Sequence, residues 1–116
     1  MKAIEILKTA VKALDSKKGQ EIRAIKIDNL TVIADYFVIA TASSSTQVRA
    51  LAEEVEYQLD LENTPVHHIE GRGSNWILLD YGSVIVHVFH RETRDFYGLD
   101  STWADGEQVD ITKFLA

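Results

Sequence analysis

Two apolar runs late in the chain, WILLDY at 76–81 and VIVHVF at 84–89, constrain the fold more than any other feature. Large aliphatic or aromatic residues stand at odd and even positions alike, so each run, read as a strand, needs cover on both faces. Only Gly82 and Ser83 separate them, which makes a tight antiparallel hairpin. Cover has to come from helices, and the chain offers two long ones. Residues 2–17 place Ala3, Ile4, Leu7, Ala10, Val11 and Leu14 at helical spacing on one stripe. Lys17 and Lys18 suit the negative end of that helix, and Gly19 suits the left-handed position just beyond it.

The second helix begins after Ser43-Ser44-Ser45-Thr46 and runs to about Leu61, stopped by Asn63 and by Pro65, the single proline. Ser44 and Gln47 stand three apart, the spacing of a capping box. Val48, Leu51, Ala52, Val55 and Leu59 form its buried stripe, while Glu53, Glu54, Glu56 and Asp60 make its outer part acidic. Three more segments read as strands. Glu21–Ile27 alternates and exits through Asp28-Asn29, Tyr36–Thr41 is nearly continuous in strand formers, and Val66–Glu70 precedes a Gly-rich loop. The order α-β-β-α-β-β-β, with a short C-terminal appendage, predicts one α/β domain with a mixed five-stranded sheet. Strand, helix, strand in its middle implies a parallel pair by a right-handed crossover. Two helices shield one face of such a sheet, and the apolar residues left on the other mark a protein interface.

The 116 residues, 46% hydrophobic, suffice for one domain that buries about two-thirds of its unfolded surface. No cysteine is present, which excludes disulfides, thiolate metal sites and a cysteine nucleophile. Apolar runs are strand-sized, too short for a membrane span. The opening stretch MKAIEILKTAVKALD carries Glu5 and lacks a signal-peptide core, so a cytoplasmic protein is expected. Lys and Arg total 12 against 18 Asp and Glu, a net charge of −6. That balance disfavours direct binding to a phosphate backbone and favours a basic protein surface.

The chemistry-bearing residues have plainer roles that account for them. The serines at 43–45 resemble an anion-binding turn but lack the glycines and lysine of a P-loop, and helix capping accounts for them. A nucleotidyltransferase or nucleotide-binding domain using Ser43–Ser45 is the enzymatic alternative; no paired carboxylates follow the serines to hold its metals. Adjacent His67 and His68 point to opposite faces of a strand, and His87 and His90 also diverge, so no metal site is expected. Gly82-Ser83 lies in a hairpin and makes no nucleophile elbow. In RETRDFYGLDSTW (91–103), Phe96, Leu99 and Trp103 could close the core, or Arg94, Tyr97 and Trp103 could rim the open face.

Taken together, DYFVIATASSSTQVRALAEEVE (35–56), IEG (69–71), NWILLDYGSVIVHVF (75–89) and RDFYGLDSTW (94–103) resemble the ribosomal silencing factor, or Iojap-like, family. One departure is Ala42, where the family commonly carries glycine. The resemblance spans 1–103 and carries nothing onto 104–116, read as a C-terminal extension. It implies a nucleotidyltransferase-like topology without catalytic acids, no enzymatic activity and no cofactor. It also implies binding to the large ribosomal subunit through ribosomal protein L-fourteen, a block to small-subunit joining under nutrient limitation, and a homodimer when free. The residues it singles out for partner binding are Trp76, Leu78, Asp80, Tyr81, Gly82, Val86, His87, Glu92, Arg94 and Tyr97. Asp80 and Glu92 would meet basic residues, whereas Trp76, Leu78 and Tyr81 would supply apolar contact. Alternation sets Tyr81 opposite Asp80, so some of this set belongs to the core.

Overall fold

In the computed structural model, which describes residues 1–98 and 104–115 (backbone alone at 95–97), the first helix α1 runs Ala3–Ser16. It buries Ile6, Leu7, Ala10, Val11, Ala13 and Leu14; Ile4, expected in the stripe, is exposed, and Ile6 takes its place. Each large aliphatic side chain withdrawn from water this way contributes roughly 1.5–3 kcal/mol. The helix ends in a Schellman motif, with the Lys18 N–H on the Asp15 carbonyl and the Gly19 N–H on that of Leu14, both 2.9 Å. Lys18, not Gly19, takes the left-handed conformation, at φ 63°. Glycine is needed one residue later for close approach, since a Cβ on Gly19 would stand 3.0 Å from the Leu14 oxygen.

The remaining elements are β1 (Gln20–Lys26), β2 (Tyr36–Ala42), α2 (Ser45–Leu61), β3 (His68–Glu70), β4 (Trp76–Asp80), β5 (Val84–His90), α3 (Arg91–Tyr97), β6 (Glu107–Val109) and α4 (Thr112–Leu115). They build a sheet of order β3-β4-β5-β2-β1-β6, which has six strands, not the five expected. The additional strand lies in 104–116. It pairs antiparallel with β1, Ala24 opposite Val109, and Phe114 on α4 buries its ring in the main core. A three-residue strand has too little pattern of its own to read; it forms because β1 leaves an edge unpaired.

The parallel pair exists, but its members are β2 and β5, with Ile39 opposite His87. The strand directly after α2, β3, is only three residues long and lies at the sheet edge. The long apolar β5 takes the centre instead, where both its faces can be covered.

Alternation along the strands divides the apolar residues between two cores. On the helix side, Val38 and Ala40 of β2, Leu79 of β4 and Val86 and Val88 of β5 meet α1 and α2. On the opposite side, Ile25, Ile27, Phe37, Ile39 and Phe89 form a second cluster, with Trp76 and Ile85 packed against it. The second face therefore carries a core of its own rather than lying bare; α3 packs against β5 and β2.

The β3–β4 connection depends on Gly71. Its φ is +85°, and a Cβ there would stand 2.0 Å from the Trp76 carbonyl oxygen. Ser74 fills the same turn, its hydroxyl donating to the carbonyls of Gly71 and Trp76 at 2.7 and 2.9 Å. Gly71→Ala therefore has to displace backbone as well as adopt a disfavoured φ. We expect a loss of at least about 2 kcal/mol in urea unfolding, against almost none for Gly73→Ala beyond its φ penalty.

Candidate docking face

Cross-strand register places the second face residue by residue. One row runs Arg23, Ile39, His87, Leu78 and Glu70 across β1, β2, β5, β4 and β3; the next runs Ile25, Phe37, Ile85, Asp80 and His68. Trp76 pairs with Phe89 beyond them. Buried Ile39 and Phe37 occupy the middle, and half-buried Trp76, Leu78, Asp80 and Ile85 lie toward the β3 edge.

Trp76 is held on two sides. Its ring stacks on Phe89 at 4.8 Å between centroids, and its indole N–H donates to His87 Nδ1 at 3.2 Å. The one polar atom of the indole is thus used inside the fold. His87, 4% exposed, also meets the Phe37 ring edge-on at 4.9 Å. Nδ1 accepts, so Nε2 carries the proton of the neutral ring, and this buried Nε2 has no hydrogen-bond partner among the described residues.

Burial pushes the His87 pKa from 6.5 down to about 4. Between those values the unfolded chain binds the extra proton and the folded one does not, so stability falls as pH drops from about 6.5 to about 4. The loss should reach about 3 kcal/mol across that window. Urea midpoints measured from pH 7 down to 4 should show it, and His87→Gln, which does not titrate, should flatten the slope.

Asp80 and Gly82 act as a unit. The Gly82 N–H donates to Asp80 Oδ1 at 2.7 Å, and Gly82 holds φ +83°, which side chains rarely adopt; a Cβ there would press on the His67 ring at 3.0 Å. Apolar residues of the β1–β2 connection come to the same end, because the Asp35 N–H donates to the Ser83 carbonyl at 2.8 Å. In that connection Leu30, Val32 and Ile33 are exposed. The Asp28-Asn29 turn signal did not foretell an exposed apolar tip.

The other motif residues separate. Tyr81 and Val86 are buried on the helix side, facing away from Asp80. The Tyr81 hydroxyl is buried with no partner among the described residues, and desolvation, with Glu56 and Asp60 nearby on α2, raises its pKa well above the tyrosine range. Arg94 is buried too. Its guanidinium donates to Thr41 Oγ1 and to the Glu21 carbonyl, both at 2.7 Å, and so ties α3 to β2 and β1. Tyr81 and Val86 support the sheet from the helix side, and Arg94 is spent on bonds inside the fold.

Glu92 is exposed on α3, beyond the far end of β5 from Asp80. The span from Ile85, opposite Asp80, to Phe89 is already about 13 Å. The side chains of Phe96 and Tyr97, and all of Leu99 and Trp103, lie outside the described residues.

The serine turn is spent on the chain itself. Ser44 Oγ accepts from the Gln47 N–H at 3.1 Å, while Gln47 Oε1 accepts from the N–H and hydroxyl of Ser43, one residue earlier than the expected box partner. Gln47 Nε2 also reaches the Lys17 and Lys18 carbonyls, which joins the ends of α1 and α2. Ser45 donates to Asn75 at 2.9 Å. The histidines disperse: His68 pairs with Glu70 at 3.0 Å, His90 caps α3, His67 abuts Gly82 and His87 lies inside.

What the motif did not single out is Glu70. Register sets it beside Leu78 on this face, and only the strand pairing, not the IEG motif, reveals that.

Comparison with known proteins agrees over the whole chain. The family model described as "ribosomal silencing factor during starvation" matches residues 1–116. The ribosomal silencing factor of Bacillus subtilis is 38% identical over 107 residues, 91% of each chain. An Iojap-related mitochondrial protein of Arabidopsis thaliana is 32% identical over 93 residues, 69% of this chain and 50% of its own. A crystal structure from Chromobacterium violaceum superposes with a TM-score of 0.87 at 33% identity, covering 95% of this chain and 92% of the other.

Proposed function

The chain belongs to the ribosomal silencing factor family, and from that membership we propose that it binds the large ribosomal subunit through ribosomal protein L-fourteen. There it occupies space the small subunit needs and so represses translation when nutrients run short. The action is steric and uses no catalysis, cofactor or nucleotide. Its place of action is the cytoplasm; among the described residues no helix is long and apolar enough to cross a membrane.

The observation that carries this reading is the second face, where half-buried Trp76 and Leu78 lie among the acids Asp80 and Glu70. Apolar area supplies affinity there, and an acidic rim selects a basic protein over the RNA around it. The net charge of −6 works in the same direction. The enzymatic alternative loses ground because all three serine hydroxyls serve the helix start and Asn75.

Free protein is expected to pair as a homodimer. Charge reversal separates that contact from the ribosomal one. Asp80→Lys with Glu92→Lys should weaken co-sedimentation with large subunits about tenfold or more while sedimentation of the free protein is unchanged. Co-sedimentation of the unaltered protein with large but not small subunits tests the reading itself; equal pelleting with both, or with neither, contradicts it.

A further inference from the structure

A hollow of about 260 Å³ opens beside β3 and β4, lined by Glu70, Gly71, Trp76 and Leu78. Two walls are apolar side chains and one is a carboxylate. The Trp76 N–H is turned away to His87, so what the indole contributes is ring surface. Glu70 is exposed; one of its oxygens lies 3.0 Å from His68 Nε2, which leaves the other for a second donor. The nearest arginine in the chain does not fill the space, because Arg72 is engaged with both oxygens of Glu56 at 3.0 and 3.1 Å. Asp80, next but one to Leu78 on β4 and opposite His68, adds a second negative charge to this face.

We propose that the hollow takes an arginine side chain of the basic partner, its stem along Leu78, its guanidinium plane over Trp76 and its N–H groups on the Glu70 carboxylate. Arginine suits the site better than lysine because a planar guanidinium both stacks on an aromatic ring and forks onto a carboxylate. The proposal rests on the reading that the partner is a basic ribosomal protein, and it assigns Glu70 and Trp76 one joint task within that contact.

The test uses the full chain, Glu70→Gln, and Glu107→Gln on β6 as a remote acid of equal charge. Binding to purified large subunits is titrated by pelleting at several salt concentrations. Glu70→Gln should bind about tenfold more weakly with a shallower salt dependence, and Glu107→Gln should match the unaltered protein. If Glu70→Gln binds as tightly as the unaltered protein, the proposal is overturned and the ribosomal reading stands. If the unaltered protein fails to pellet with large subunits, the ribosomal reading fails, and a second measurement decides the proposal. In that case the Trp76 indole N–H resonance is followed by NMR during titration with N-acetylarginine amide and with its neutral citrulline analogue. A shift with arginine alone, absent in Glu70→Gln, upholds the subsite, and no shift with arginine overturns it.

Discussion

Arg94→Ala should cost about 4 kcal/mol of folding stability, seen as a fall of about 15 °C in the thermal midpoint. Arg94 is 5% exposed, and its guanidinium donates to the Thr41 hydroxyl, in a residue fully buried, and to the Glu21 carbonyl. Glu21 has φ 47° and stands where the β1–β2 register shifts between Gln20 and Arg23. Arg94 thus satisfies backbone at a bulge as well as a buried side chain. Alanine takes the charged donor from the Thr41 hydroxyl inside the protein, which is the costly way to lose a hydrogen bond. Arg94→Lys keeps the charge on a shorter side chain and should lie between arginine and alanine. The neighbouring Arg91, exposed and paired with Glu21 at 2.8 Å, makes a useful contrast. Its alanine variant should change stability by less than about 1 kcal/mol. A midpoint for Arg94→Ala within a degree or two of the unaltered protein would show that the bonds carry little.

Trp76→Ala should weaken binding to large subunits by at least about 30-fold, the loss expected when an aromatic anchor at the centre of an interface is truncated. The indole supplies the largest apolar surface on β4. It is fixed before binding by its stack on Phe89 and its bond to His87, so little ordering is left for the complex to require. The same substitution removes the Phe89 stack and orphans His87 Nδ1, so stability also falls. Trp76→Phe distinguishes the two effects. It keeps a ring against Phe89 and should recover most of the stability, with binding restored only in part. If Trp76→Ala binds like the unaltered protein while folded, the second face is not the docking surface.

Much of the fold could be read before any coordinates. The Ser44 and Gln47 spacing marks the start of α2, because capping needs particular atoms at particular offsets and leaves a local signature. The runs at 76–81 and 84–89 read as paired strands for the same reason, since a two-residue Gly-Ser link permits little else. Non-local choices were less legible. Which strand lies parallel to β2 depends on whether His68–Glu70 or Val84–His90 fills the centre, a competition in burial that local pattern does not decide. Strand β6 exists only through the unpaired edge of β1.

The site followed the same division. The motif names Trp76, Leu78 and Asp80, and alternation along β4 puts the three on one face. Arg94 was named for its residue type, a common interface anchor, yet α3 turns it inward, and a helix of seven residues carries too little periodicity to show which way it turns. Tyr81 and Val86 were included on the motif alone, and alternation had already set Tyr81 against Asp80. Glu70 stands outside the motif set, and its place on this face shows only in the pairing with Leu78 on another strand.

The proposed action of the bound protein is to keep the two ribosomal subunits apart. The direct measurement is light scattering on mixing purified large and small subunits, with this protein preincubated on the large ones in excess. Formation of whole ribosomes should fall with increasing protein, and Trp76→Ala should restore it. Undiminished joining with the large subunits saturated would contradict that action.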